Sequence, residues 1–378
     1  MELRAGYKQT EVGVIPEDWE VKEFGEITDR IIGGGTPSRS NPLFWGGEIP
    51  WVTVKDFATF NCFQTQEYIT REGLKSSASH LIPKGVIITS TRMALGKAVI
   101  YNIDVSINQD LKAIFPKKVV NTTFFFYWFQ FNAKYIEDLG SGSTVMGISL
   151  PDLRKIKFKL PSLSEQTAIA TALSNLDTLL SSIEKLIEKK RNIKQGALQK
   201  LLQPKEGWAV KKLSEVLKVK HGKSQKEVEN RSGEYPILGT GGLMSFTNQF
   251  LYDKPSVLIG RKGTIDKPQY WETPFWTVDT LFYTEIFEGY CAKFIFYLFT
   301  LIDWYSYNEA SGVPSLNAKT IESIKKAFPS HSEQIHIATI LSDMDAEIVA
   351  LEAKMEKYRK IKLGMMQNLL TGKIRLIS

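Results

Sequence analysis

Two short stretches of the chain place cations where a nucleic acid could use them. Thr89-Ser90-Thr91-Arg92-Met93-Ala94-Leu95-Gly96-Lys97 follows one apolar run, and Gly260-Arg261-Lys262-Gly263-Thr264-Ile265-Asp266-Lys267 follows another. Each sets an Arg just beyond the run and a Lys five or six residues later, as across a hairpin. An Arg held there can donate two parallel hydrogen bonds to guanine or clamp a phosphate. Arg92, Lys97, Arg261, Lys262, Thr264 and Lys267 are therefore candidate DNA contacts. Two polar loops add Gly35, Thr36, Ser38 and Arg39 in the first half, and His221, Lys223, Ser224 and Gln225 at the matching place in the second. Their glycines permit close backbone approach to phosphates, and their polar side chains can read base edges. Lys55, beside the run Ile49–Val54, is grouped with them. A solvated turn explains any one of these loops taken alone; their occurrence in pairs argues for function.

Enzyme chemistry finds no comparable footing. Asn41-Pro42-Leu43-Phe44 falls short of the Asn-Pro-Pro-aromatic motif of adenine methyltransferases, because its third residue is Leu. No Gly-rich strand-to-helix turn for S-adenosylmethionine accompanies it. Gly33-Gly34-Gly35 lacks the Gly-Lys-Ser/Thr ending that cradles a nucleotide. The four histidines, His80, His221, His331 and His336, offer no metal-ligand spacing. The expectation is a chain with no catalytic residue, metal or cofactor of its own, the alternative being a methyltransferase or nuclease fragment with its own active site. A net charge of +7, from 48 Lys and Arg against 41 Asp and Glu, leans toward a polyanionic partner. Cys62 and Cys291 are too few for a disulfide framework and read as buried apolar residues in a reducing compartment. Met1–Lys8 has no apolar core of a signal peptide, and the aromatic run Phe124–Phe131 is too short to span a bilayer. Together these predict a cytoplasmic protein with no membrane partner.

An internal repeat supplies the elements that must position the loops. Pro161-Ser162-Leu163-Ser164-Glu165-Gln166 returns as Pro329-Ser330-His331-Ser332-Glu333-Gln334, and residues 161–202 match 329–370 without a gap at 21 of 42 positions. Apolar residues in both copies recur at spacings of three and four: Ile169, Leu173, Leu176, Leu180, Ile183 and Ile187, then Ile337, Leu341, Met344, Ile348, Leu351 and Met355. This is a narrow heptad seam that suits another helix better than a broad core. Ser164 and Ser332 read as the N-caps, each followed by a first-turn Glu. The repeat reaches outward more faintly, Trp19-Glu20-Val21-Lys22 recurring as Trp208-Ala209-Val210-Lys211.

Residues 20–160 show short β-rich runs at 49–54, 84–90 and 98–101, then an aromatic helix near 122–138. The second half repeats the plan with runs at 256–260 and 269–271 and a helix near 290–304. The fold class expected is α+β: two mixed α/β domains separated by two long antiparallel coiled-coil helices, related by a pseudo-twofold repeat. Some forty residues at 1.5 Å each give roughly 60 Å of helix, enough to act as a ruler between two binding surfaces.

Taken in order, these motifs resemble the specificity subunits of type I restriction-modification systems, over nearly the whole chain. The residues that carry the likeness are Ile15-Pro16-Glu17-Asp18-Trp19, Gly34-Gly35-Thr36-Pro37-Ser38, Trp45-Gly46-Gly47-Glu48-Ile49-Pro50-Trp51, and the step Leu160-Pro161-Ser162-Leu163-Ser164-Glu165-Gln166. The resemblance implies two target-recognition domains, 1–158 and 204–326, and two conserved helical spacers, 159–203 and 327–378. It implies double-stranded DNA as ligand and two methyltransferase subunits docked on the helices, with two motor-nuclease subunits joining for restriction. S-adenosylmethionine would then sit on the methyltransferase, and ATP and magnesium on the motor subunit. Glu165, Gln166, Asp177, Arg191, Glu333, Gln334, Asp345 and Arg359, repeated in both spacers, are the candidate partner-binding residues. The second domain departs from the pattern, with Gly222-Lys223-Ser224 where the first has Gly-Gly-Thr-Pro-Ser.

Overall fold

The computed structural model describes residues 5–140 and 147–376, so Met1–Arg4 of the N-terminal stretch lie outside the described residues. The chain divides into two compact units, residues 1–182 with 355–378, and residues 183–354. Helices α1 (Thr122–Asp138), α2 (Leu163–Leu201), α3 (Ala292–Thr300) and α4 (His331–Leu369) carry most of the helical structure. Both 39-residue helices, α2 and α4, run unbroken through the division.

In the first unit, an antiparallel sheet runs in the order Thr28–Gly33, Leu111–Pro116, Ile87–Ser90, Ala98–Ile100. Ile87-Ile88-Thr89-Ser90 is buried at every position, as befits a central strand. A second sheet, ordered Glu67–Ile69, Trp45–Val52, Val105–Ile107, Leu81–Ile82, contains a parallel pair that sets Ser106 opposite Trp51. Glu20–Glu23 pairs with Lys157–Leu160 and returns the chain to the start of α2. Asn121 caps α1 by accepting from the Thr123 and Phe124 amides. The helix buries Phe124, Phe125, Tyr127, Trp128 and Phe129 in one core with Trp19, Phe24 and Phe158. Ile169 and Leu173 from the start of α2, Met366 and Leu369 from the end of α4, and Leu370 just past it close that core.

The second unit repeats the plan. Its main sheet runs Leu217–His221, Leu281–Ile286, Ser256–Gly260, Gln269–Trp271, and a smaller one runs Gly242–Thr247, Tyr235–Gly239, Trp276–Thr277 with the last pair parallel. Ala209–Lys212 pairs with Lys325–Phe328. Phe294, Tyr297, Leu298 and Phe299 of α3 enter a core closed by Leu198 of α2, by Leu202 just past it, and by Ile337 and Leu341 of α4. A bulge at Phe115/Pro116 in the first unit, absent from the matching ladder of the second, shifts one strand by a residue between the two copies.

Local departures from the sequence reading have simple causes. The helix caps are Ser162 and Ser330 rather than Ser164 and Ser332: their hydroxyls accept from the Glu165 and Glu333 amides at 3.3 Å, so each helix begins a residue or more earlier. Helix α3 ends at Thr300, four residues short of the expected limit, where the chain turns through Ile302 and Trp304. Cys62 and Cys291 are half-buried rather than buried. No helix among the described residues is long and apolar enough to cross a membrane.

Candidate nucleic-acid interface

Each unit brings its two candidate loops to one turn. In the first, the turn is Asn108–Asp110. The Gly35 amide donates to Ile107 O at 3.0 Å, and Thr36 Oγ1 bonds Gln109 Oε1 at 2.5 Å. From the other side, the Thr91 amide donates to Asp110 O at 2.9 Å, and Arg92 Nη1 lies 3.8 Å from Asp110 Oδ1. Thr36 and Arg92, far apart in sequence, thus share a surface. Arg39 is held differently: its guanidinium lies 3.7 Å from the Trp45 ring centroid while its two Nη atoms grip the two carboxylate oxygens of Glu67. Arg39 holds the Glu67 carboxyl below its usual range, with burial opposing it and Lys55 assisting. Ser38 Oγ lies 2.8 Å from Ser40 Oγ. Lys97 stands apart, lining a hollow with Phe57, Phe60, Phe126 and Gln130.

In the second unit, the turn is Val278–Thr280. The Lys223 amide donates to Thr277 O at 2.9 Å, the Arg261 amide to Thr280 O at 2.8 Å, and Arg261 Nη1 to Asp279 O at 3.1 Å. His221, Arg261 and Lys262 line one hollow together with Glu309, Ser315 and Asn317. The His221 ring stacks edge-on to Phe282 at 4.9 Å. Ser224, Lys223 and Lys267 are exposed, Gln225 and Thr264 half-buried.

The glycines serve the fold. A Cβ on Gly34 would lie 1.9 Å from Ile107 O, and one on its counterpart Gly222 would lie 2.0 Å from Val278 O. The close approach they permit is to the protein's own backbone, not to a phosphate. Gly35 is buried, its carbonyl accepting from Trp51 Nε1 at 3.0 Å and Ser79 Oγ at 2.8 Å. In the second unit Lys223 O accepts from Trp276 Nε1 at 2.9 Å, so an indole from a different strand makes the same brace. The ladders also correct the pairing read from sequence. Leu111 faces Ser90 and Leu281 faces Gly260, which makes Lys262, not Arg261, the counterpart of Arg92.

The repeated helix residues are largely taken up inside each unit. Glu165 is buried, accepting from Trp19 Nε1 at 2.9 Å and from Arg375 Nε and Nη2 at 2.8 Å. Gln166 Oε1 accepts from the Asn121 amide at 2.8 Å, and Gln334 Oε1 from the Cys291 amide at 3.0 Å, which ties each long helix to the start of its aromatic helix. Buried Glu165, Gln166 and Gln334 therefore offer no side chain to a partner, contrary to the sequence expectation. Asp177 accepts from Tyr127 OH at 2.7 Å and pairs with Lys362 at 2.6 Å, while Asp345 accepts from Tyr297 OH at 2.8 Å and pairs with Lys194. Burial pushes both phenols upward from their usual range, with the aspartates acting in the same direction. Arg191 pairs with Glu352 at 2.5 Å and Glu333 with Lys205 at 3.3 Å. Arg359 is exposed. Within each unit the paired residue numbers along α4 and just past its end fall as those along α2 and just past its end rise, so the segments of the two helices run antiparallel.

The turns 108–110 and 278–280 were missed by sequence reasoning, since Asn-Gln-Asp and Val-Asp-Thr share no motif; only their place ahead of a buried strand marks them. Among the described residues no cluster of His, Cys, Asp and Glu could hold a metal ion.

Comparison with known proteins agrees with this architecture. The family profile of the type I restriction modification DNA specificity domain matches residues 16–195 and again 205–362. The chain therefore belongs to the type I restriction-modification DNA specificity family. The MjaIX specificity subunit of Methanocaldococcus jannaschii is 29% identical, over 68% of this chain and 69% of its own length. The MjaVIII specificity subunit of the same organism is 24% identical, over 96% and 94%. Among solved structures, the S subunit of a type I restriction-modification system from M. genitalium shares the fold at TM-score 0.65 and 18% identity, covering 98% of each chain. The comparisons lend no support to a methyltransferase reading.

Proposed function

We propose that this chain is the DNA-reading subunit of a type I restriction-modification assembly, non-catalytic itself and acting in the cytoplasm. Each lobe reads one half of a bipartite double-stranded DNA target, and α2 with α4 sets the unread gap. The observation that carries the reading is the duplicated convergence of two polar loops on one turn, Thr36 and Arg92 in one lobe and Lys223 and Arg261 in the other. Base edges would meet Arg92, Lys262, Arg261 and His221, while Lys55, Lys97, Lys223 and Lys267 offset phosphates. Arg39 contributes only by exchanging Glu67 for a DNA acceptor, since its fork is already filled.

Two methyltransferase subunits, which bring S-adenosylmethionine, dock on the helices; two motor-nuclease subunits bring ATP and magnesium. What supports a docking role is a second duplication: Ile193 and Ile361, 46% and 39% exposed, hold equivalent places on the helices beside Arg191 and Arg359. Exposed apolar residues repeated this way suit a protein partner used twice. Methylome sequencing of a host carrying this chain with its cognate methyltransferase, against a deletion control, tests the proposal. A bipartite adenine-methylation motif should appear only with the chain present; an unchanged methylome refutes the reading.

A further inference from the structure

Met93 is the one non-glycine residue with positive φ among the described residues, at +66°. A side chain in this left-handed region crowds its own carbonyl, and an unbranched apolar residue has no local hydrogen bond to compensate. Its counterpart in the second unit, by the strand register, is Gly263, with φ +93° and nothing within 4 Å of the place a Cβ would occupy. The same backbone turn is thus built without strain in one lobe and with it in the other.

The fold fixes the Met93 backbone from both sides. Arg92 forms an antiparallel bridge with Gly147, and the Ile148 amide donates to Thr91 O at 3.0 Å. Beyond the tip, Leu95 is 4% exposed, and Gly96 lies so near α1 that a Cβ there would be 2.2 Å from Ala133 O. Met93 itself remains 60% exposed, between Arg92 and the hairpin's return, with its apolar side chain uncovered. Strain held in place by surrounding structure, around a side chain the fold does not bury, marks a side chain kept for contact with something else.

We infer that Met93 is a specificity-determining residue of the first lobe, making apolar contact with a base of the first half-site beside the groove contact of Arg92. The inference rests on the DNA-reading role proposed above and adds a contact that the second lobe, with Gly263, does not make. Apolar side chains read thymine methyl groups and fill base steps in this manner, and Met is among the residues that do so.

The test compares wild type, Met93→Gly and Met93→Leu, each assembled with the cognate methyltransferase, on a duplex bearing the motif found by methylome sequencing. Duplexes altered singly at each base of either half-site accompany it. M93G should melt at or above the wild-type temperature, because glycine accepts the turn, and should bind about 5- to 20-fold more weakly, within the usual range for losing one base contact. The loss should fall on one position of the first half-site, with the second half-site read as before, and M93L should recover most of it. A lowered melting temperature for M93G would mean that the side chain serves the fold, and equal affinity would mean that it touches no DNA; either overturns the inference alone. A wild-type assembly with no half-site preference sinks the functional reading and this inference with it.

Discussion

The duplicated glutamates at the helix starts predict two very different costs for removing the cation that each one meets. Glu165 has no exposed side-chain surface, and its carboxylate depends on Arg375, 17% exposed, and on the Trp19 indole. Glu333 is 36% exposed and meets Lys205 at 3.3 Å. Arg375→Ala leaves a buried, uncompensated carboxylate, for which roughly 3–5 kcal/mol is usual. Spread over the unit of residues 1–182 and 355–378, that corresponds to a drop of about 6–20 °C in melting, at ~2–4 °C per kcal/mol. Lys205→Ala removes a solvated pair and should cost less than about 1 kcal/mol. Calorimetric melting of both variants at neutral pH decides the matter, with Glu165→Gln as the variant that removes the buried charge. Equal shifts for Arg375→Ala and Lys205→Ala would refute the argument from burial.

Acid should weaken the same clasp. The Arg375 hydrogen bond holds the Asp18 carboxyl below its ordinary value, so the stabilisation is complete above the normal aspartate range, near ~3.9, and fades as pH falls below it; Asp18→Asn should flatten the melting temperature of the first unit between pH 5 and 3. Ile193→Asp and Ile361→Asp should leave melting within a degree or two yet weaken capture of the methyltransferase by about tenfold or more, measured by co-purification or calorimetry; undiminished capture places the seat elsewhere. Four residues added to each long helix, after Ser182 in α2 and after Lys354 in α4, fall between the Asp177–Lys362 and Lys194–Asp345 pairs. The addition of ~6 Å should lengthen the methylated motif's gap by one or two base pairs of ~3.4 Å. Methylome sequencing showing altered half-sites with an unchanged gap would end the ruler idea.

Much of this was legible because it is periodic or repeated. The heptad seam announces α2 and α4, since a side chain's place around a helix follows from its number, and the match of 161–202 to 329–370 makes one helix vouch for the other. The aromatic runs mark α1 and α3 for the same reason. Register was less legible: the Arg92 and Arg261 loops look alike as strings, yet hydrogen bonding aligns Arg92 with Lys262, and a ladder offset of one residue leaves no trace in composition. The roles of the paired helix residues were hidden too. Gln166 and Gln334 recur as an exposed binding site would, but their repetition reflects how each lobe is fastened to its helices, while Glu165 is buried and its repeat Glu333 is not.

That fastening has a consequence for how such a protein can change. Tyr127 with Asp177 and Lys362 reproduces Tyr297 with Asp345 and Lys194, and the Gln166 and Gln334 anchors grip nothing but main-chain amides and carbonyls. Beyond an apolar core that Ile169, Leu173, Ile337 and Leu341 can close, the socket asks of an incoming lobe a tyrosine on its aromatic helix and a backbone of the right course, and these contacts do not involve the loops it carries. Recombination could therefore trade one lobe for another wholesale, creating a new sequence preference in a single step while the remaining half keeps its old one.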